Sequence, residues 1–202
     1  MDAILTNLTE KDSKLKKIFG SSLELPPSGA SGDLYFDLIR TIAFQQLHSA
    51  AATKIFDRFI LLFDSGYPQP QEITEMEIET LRAVGYSKQK ANYLKNIATF
   101  ALENDFEKRD WDGMSDVEII TFLTQIKGVG EWTVHMILLF SLQRPDVFPT
   151  GDFGIQTAMK KLYGLTAEKK ELKNKMIDIA EAWIPNRTIV SRYLWRWSDS
   201  NK

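Results

Sequence analysis

The sequence predicts an all-α fold, and three features carry that prediction. Apolar residues recur at helical spacing in almost every segment. Ser or Thr followed three residues later by Glu marks helix starts, and glycines stand where helices should stop. Alternating apolar and polar runs of the strand type are missing. The spacing gives about ten short helices.

Taken in order, Leu34, Leu38, Ile42 and Gln45 follow helical spacing in GDLYFDLIRTIAFQQL. A second helix fits SAAATKIFDRFILLF, with Ile55, Phe59 and Phe63 on one face. SGYPQPQ reads as a turn-rich connector. Thr74 and Glu77 form a capping-box pattern before MEIETLRAVG, and Gly85 supplies the stop. A long helix follows Ser87 through KQKANYLKNIATFAL, and Ser115 with Glu118 repeats the capping box before VEIITFLTQI. EWTVHMILLFSL, FGIQTAMKKLY, AEKKELKNKMIDIAEAW and RTIVSRYLWRW complete the set. PPSGASG at 26–32 is expected to be a loop joining an N-terminal helix to the rest, not an interdomain linker.

Composition narrows the function. A chain of 202 residues suits one domain, or two lobes around one cleft. The absence of cysteine excludes disulfides, Cys-ligated zinc and Cys-ligated iron–sulfur clusters, and 2 histidines are too few for a His-rich metal site. No apolar run approaches the roughly 18–20 residues that span a membrane. The opening MDAILTNLTEKDSKLKK lacks the order of a secretory signal, so an intracellular protein is expected. A net charge of −2 argues against wholesale electrostatic wrapping of nucleic acid. The charge is unevenly spread: residues 101–150 carry 4 basic and 9 acidic groups, residues 151–202 carry 10 and 6. Lys160, Lys161, Lys169, Lys170, Lys173 and Lys175 read as solvated helix faces. Any grip on DNA must then come from a few placed amides and side chains.

The most informative stretch is TFLTQIKGVGEWTVHMILLF. Two helices flank Ile126-Lys127-Gly128-Val129-Gly130, and the glycines permit backbone angles and close approaches that a Cβ forbids. Val129 is expected to point inward and pin the helices, turning the amides of Gly128, Gly130 and the next helix start outward toward a phosphate. Such contacts position a protein on DNA without reading its sequence. Thr133 is expected to add a hydroxyl donor to the same phosphate. A bare GxG favours a Gly-stopped helix followed by another helix; Leu123, Ile126, Val129 and Thr133 around it shift the reading to a DNA-binding helix–hairpin–helix.

Asp152 follows Pro149, Thr150 and Gly151 and precedes an apolar helical run. Taken alone it reads as an N-cap. Near a phosphate-gripping hairpin, a carboxylate at a helix start has a second use. Cleaving an N-glycosidic bond builds positive charge on the sugar, which a fixed anion stabilises while it orients or deprotonates water. Asp146 lies nearer the preceding helix end and reads as structural.

IKGVGEWT followed by DVFPTGDFGIQ resembles the hairpin and the Gly/Pro-rich loop with its aspartate that define the helix–hairpin–helix superfamily of DNA glycosylases. WIPNRTIVSRYLW, FQQLHSAAATKIF and LRAVGYSKQKANYLKNIA resemble its 3-methyladenine DNA glycosylase II branch, so the likeness covers roughly residues 33–198. The resemblance implies a two-lobed helical bundle with the lesion pocket between lobes. The N-terminal lobe would span about 33–105 and the hairpin lobe about 106–202, with residues 1–32 joining one of them. It implies Asp152 as the catalytic aspartate and Trp132 and Trp195 as base-pocket aromatics, with Met136 at a pocket position where relatives carry an aromatic. Gln46 falls where relatives fill the gap left by the flipped base, and His48 in the adjacent minor groove. Lys127, Gly128, Val129, Gly130 and Thr133 would contact DNA. No cofactor is required by this likeness, but main-chain carbonyls of Thr124, Ile126 and Val129 would hold a structural Na+ or K+.

The departures are informative too. Lyase-active relatives carry a lysine two residues after the last hairpin glycine, where this chain has Trp132; tryptophan forms no Schiff base, so reaction should stop at an abasic site. The four-cysteine cluster of some relatives is missing. With about 32 residues ahead of the first lobe helix, no extra β-rich lobe is expected. A purine alkylated at its 3 or 7 nitrogen is cationic and a good leaving group, and it is attracted to an aromatic face by roughly 0.5–2 kcal/mol. The resemblance thus implies a monomeric, monofunctional glycosylase acting on alkylated bases in double-stranded DNA, in a nucleoid or a nucleus. The alternatives are a non-catalytic hairpin DNA-binding protein, and a glycosylase for another damaged base.

Overall fold

The computed structural model describes residues 2–20, 25–27, 29–45 and 49–200. Among them it contains twelve α-helices and no strand, so the all-α expectation holds. In chain order they are α1 (Asp2–Lys11), α2 (Lys16–Phe19), α3 (Leu34–Phe44), α4 (Ser49–Ile60), α5 (Pro70–Glu75), α6 (Ile78–Ala83), α7 (Lys88–Glu103), α8 (Asp116–Leu123), α9 (Glu131–Met136), α10 (Phe153–Tyr163), α11 (Lys169–Ala180) and α12 (Arg187–Ser200). Among the described residues, none of the helices is long and apolar enough to cross a membrane.

The chain forms two compact units, Met1–Ser28 with Gln143–Lys202, and Gly29–Leu142. This corrects two expectations. The division falls after Leu142, not near 106, because α3 packs on α9 and on the π-helical turn Ile137–Ser141 that prolongs it. The hairpin therefore belongs with the middle helices. PPSGASG, expected not to link domains, contains the other crossing between units.

In the unit Gly29–Leu142, the expected apolar stripes face inward. Leu34, Leu38 and Ile42 of α3 are buried, as are Phe59 and Phe63 from the second predicted helix. Ser87 accepts from the Lys90 amide at the start of α7, and Ser115 with Glu118 makes the predicted capping box of α8. The Thr74–Glu77 box does not form. Pro70, suited to a first helical position, starts α5 early, so Thr74 is helical and its hydroxyl donates to the Gln71 carbonyl.

In the unit formed by the two ends of the chain, Leu8, Leu15 and Ile18 bury against Ile155, Met159, Leu162, Trp183, Val190 and Leu194. Asp12 fastens this packing: its Oδ2 accepts from the Tyr163 hydroxyl at 2.5 Å and the Trp183 indole at 3.1 Å. Burial and the Asp12 carboxylate hold the Tyr163 hydroxyl protonated far above the usual tyrosine range.

Candidate nucleic-acid interface and catalytic aspartate

Within Gly29–Leu142, the hairpin between α8 and α9 is closed by Val129, whose N–H donates to the Ile126 carbonyl at 2.9 Å. Leu123, Ile126 and Val129 are buried, so the inward pinning expected of Val129 is present. Lys127 is exposed. Gly128 has φ 107, and a Cβ there would lie 2.2 Å from the Tyr93 ring. Gly130 begins α9 at an ordinary φ of −99, without a side-chain cap, and a Cβ there would meet nothing within 4 Å. As at any helix start, the first-turn amides of α9 have no acceptor within the helix.

The support for this turn comes from α7, which no local sequence pattern links to it. Tyr93 presses on Gly128, and Asn96, one turn further along the same face, donates to the Lys127 carbonyl at 2.9 Å. On that helix Lys90 donates to the carbonyls of Ala43 and Gln45 at 2.8 and 2.6 Å, closing the end of α3. Desolvation lowers the Lys90 pKa from its ordinary value.

Thr133 requires a correction. Its side chain is 2% exposed, and its hydroxyl accepts from Gln45 Nε2 at 2.7 Å. That hydroxyl ties α9 to the end of α3 instead of facing a phosphate. Trp132 is 38% exposed and lies on the surface of α9, while Met136 is half-buried. Gln46 and His48 lie outside the described residues. The carbonyls of Thr124, Ile126 and Val129 lie in or beside the hairpin turn.

In the other unit, Asp152 is the N-cap of α10, as its sequence position suggested: Oδ1 accepts from the Ile155 amide at 2.8 Å. The same oxygen accepts from the Trp195 indole at 2.7 Å. Asp152 and Trp195 are both half-buried. The neighbouring Phe153 is 83% exposed, a large apolar ring at the helix start. Trp197, two residues from Trp195, packs on the core, with Lys161 Nζ 5.4 Å from its ring centre.

The loop carrying Asp152 is stitched to α12. Arg187 donates to both carboxylate oxygens of Asp146 at 2.8 and 2.7 Å, and its own amide donates to Oδ1, so Asp146 is structural as expected. The Thr188 hydroxyl donates to the Arg144 carbonyl and accepts from the Val147 amide, and Ser191 donates to the Val147 carbonyl. The W-x-P-x-R segment thus acts as scaffold: Trp183 fills the core, and Arg187 and its neighbours hold the loop that ends at Asp152.

A helix–hairpin–helix turn followed by a Gly/Pro loop and a helix-capping aspartate defines a class. The chain belongs to the HhH-GPD superfamily of base excision DNA repair proteins, whose pattern matches residues 39–183. It is 39% identical over 196 residues to DNA-3-methyladenine glycosylase 1 of Schizosaccharomyces pombe, covering 96% of this chain and 85% of that protein. It superimposes on the solved structure of the Schizosaccharomyces pombe 3-methyladenine DNA glycosylase (Mag1) in complex with abasic DNA with a TM-score of 0.86 and 36% identity, covering 98% and 97% of the two chains. The DNA-3-methyladenine glycosidase of Bacillus halodurans gives a TM-score of 0.79 at 30% identity, over 98% and 90% of the chains.

Proposed function

We infer that this protein is a monofunctional DNA glycosylase that removes alkylated purines, of the 3-methyladenine and 7-methylguanine type, from double-stranded DNA. The observation that carries this reading is Asp152, a half-buried carboxylate held on one oxygen by the Ile155 and Trp195 N–H groups. Relatives named DNA-3-methyladenine glycosylases support it. The hairpin amides grip the phosphate backbone, with Lys127 adding charge. Asp152 faces the sugar of an extruded nucleotide and stabilises the positive charge that develops as the glycosidic bond breaks. Its carboxylate also orients or deprotonates the attacking water. Trp195, whose indole donates to Asp152, receives the base. With Trp132 where a lyase needs an amine, the product is an intact abasic strand. The protein acts as a monomer inside the cell, where DNA is.

The Thr124, Ile126 and Val129 carbonyls suit a hard monovalent cation, because the Ile126 oxygen accepts one N–H and keeps a second lone pair. Such an ion would supply positive charge beside the bound phosphate.

Incubation with methylated duplex DNA tests the reading. Wild type should release 3-methyladenine or 7-methylguanine and leave abasic sites without strand breaks at neutral pH. Asp152→Asn should reduce release at least 100-fold, on the order of losing one charged transition-state contact. Unchanged release by that variant would falsify the mechanism. Binding without any abasic product would favour a non-catalytic hairpin protein.

A further inference from the structure

The indole of Trp195 approaches Asp152 edge-on. Its Nε1–H donates to Asp152 Oδ1 at 2.7 Å, and the Ile155 amide donates to the same atom at 2.8 Å. Two donors converging on one oxygen fix the plane of the carboxylate. Ile155 lies on α10 itself, so its bond is local. Trp195 lies on α12, which packs along α10, so its bond ties the carboxylate to a second helix. The approach depends on Gly154. A Cβ at 154 would lie 2.9 Å from Trp195 Cδ1, 3.2 Å from Nε1 and 3.1 Å from Asp152 Oδ1. Any larger residue would push the indole away from the carboxylate, and a ring packed on the core gives way poorly.

We propose that Trp195 is a positioning residue for Asp152, holding the carboxylate plane through its indole N–H, and that Gly154 exists in this chain to admit that indole. Transition-state stabilisation by a fixed charge depends on its being aimed before reaction. An indole bound through its edge serves the aspartate, whatever its face does for the base. The rate consequence rests on the glycosylase reading above; the geometric claim does not.

Two measurements separate them. The first is single-turnover release from methylated DNA by wild type, Trp195→Phe and Gly154→Ala, beside affinity for duplex containing a tetrahydrofuran abasic analogue. Trp195→Phe keeps an aromatic face and removes the donor; Gly154→Ala keeps the donor and displaces it. Both should slow release roughly 10–100-fold, the worth of a hydrogen bond to a charged group, with affinity for the baseless duplex little changed. Release unchanged by Trp195→Phe would mean that the indole N–H does not aim the carboxylate, and would overturn the proposal. The second measurement is the Trp195 indole N–H resonance of 15N-labelled protein, assigned by its loss in Trp195→Phe. It should move on Asp152→Asn and be displaced in Gly154→Ala. A resonance indifferent to both changes overturns the proposal even if wild type releases no base, the result that would separately refute the glycosylase reading. If Trp195→Phe does not fold, Gly154→Ala carries the rate arm, and the indole resonance is assigned by through-bond correlation to its own backbone.

Discussion

Gly128 and Gly130 look alike in the sequence, and only Val129 separates them. The fold needs one of them. Gly128 has a positive φ and a tyrosine ring where its side chain would be, so Gly128→Ala should cost about 1–3 kcal/mol of stability in urea unfolding. Gly130 has an ordinary φ and open space around it, so Gly130→Ala should leave stability nearly unchanged. If a phosphate approaches the start of α9, the same methyl group should still weaken DNA binding, read as a higher Kd on a duplex. An unchanged Kd would place the phosphate elsewhere. Asp152 was legible because a Gly/Pro loop ahead of an apolar helix exposes its place as a cap. The bond from Trp195 was not: its partner lies 43 residues away, and helical spacing carries no information about that approach. Thr133 misled for a related reason. A hydroxyl in the first turn of a helix suits a phosphate, until Gln45, 88 positions earlier, claims it.

At the scale of elements, most helices were legible because their apolar stripes and caps are local signals. α5 was not, since Pro70 sits in a stretch that also reads as a connector. α9 carries a chemical dependence of its own. His135 is largely buried, and desolvation lowers its pKa below the ordinary 6.5, outweighing Glu131, whose carboxylate lies 3.8 Å from Nε2. The folded chain therefore holds fewer protons on His135 than the unfolded chain as pH falls through its range. Acidification from about pH 7.5 to about pH 5 favours unfolding through this residue. His135→Gln should flatten that part of the stability profile in urea titrations at the two pH values. An identical slope in variant and wild type would remove His135 as the cause.

For the whole molecule, the charge balance sets how DNA binding responds to salt. The formal net charge is −2, and a grip built on backbone amides releases few counterions, because amides carry no net charge. The slope of log K against log salt should be no steeper than about −4, corresponding to roughly four neutralised phosphates. A slope near −10 would show that lysines and arginines dominate instead. The division of the chain was the least legible feature at this scale, because no change in composition marks Leu142. The body that carries Asp152 draws its core from both ends of the sequence, Leu8 and Ile18 at one and Trp183 and Leu194 at the other, with the whole of Gly29–Leu142 inserted between them. A nascent polypeptide emerging from the ribosome can therefore finish the inserted body early. Its first two helices must wait for the last one to be translated before the aspartate has a frame to sit in.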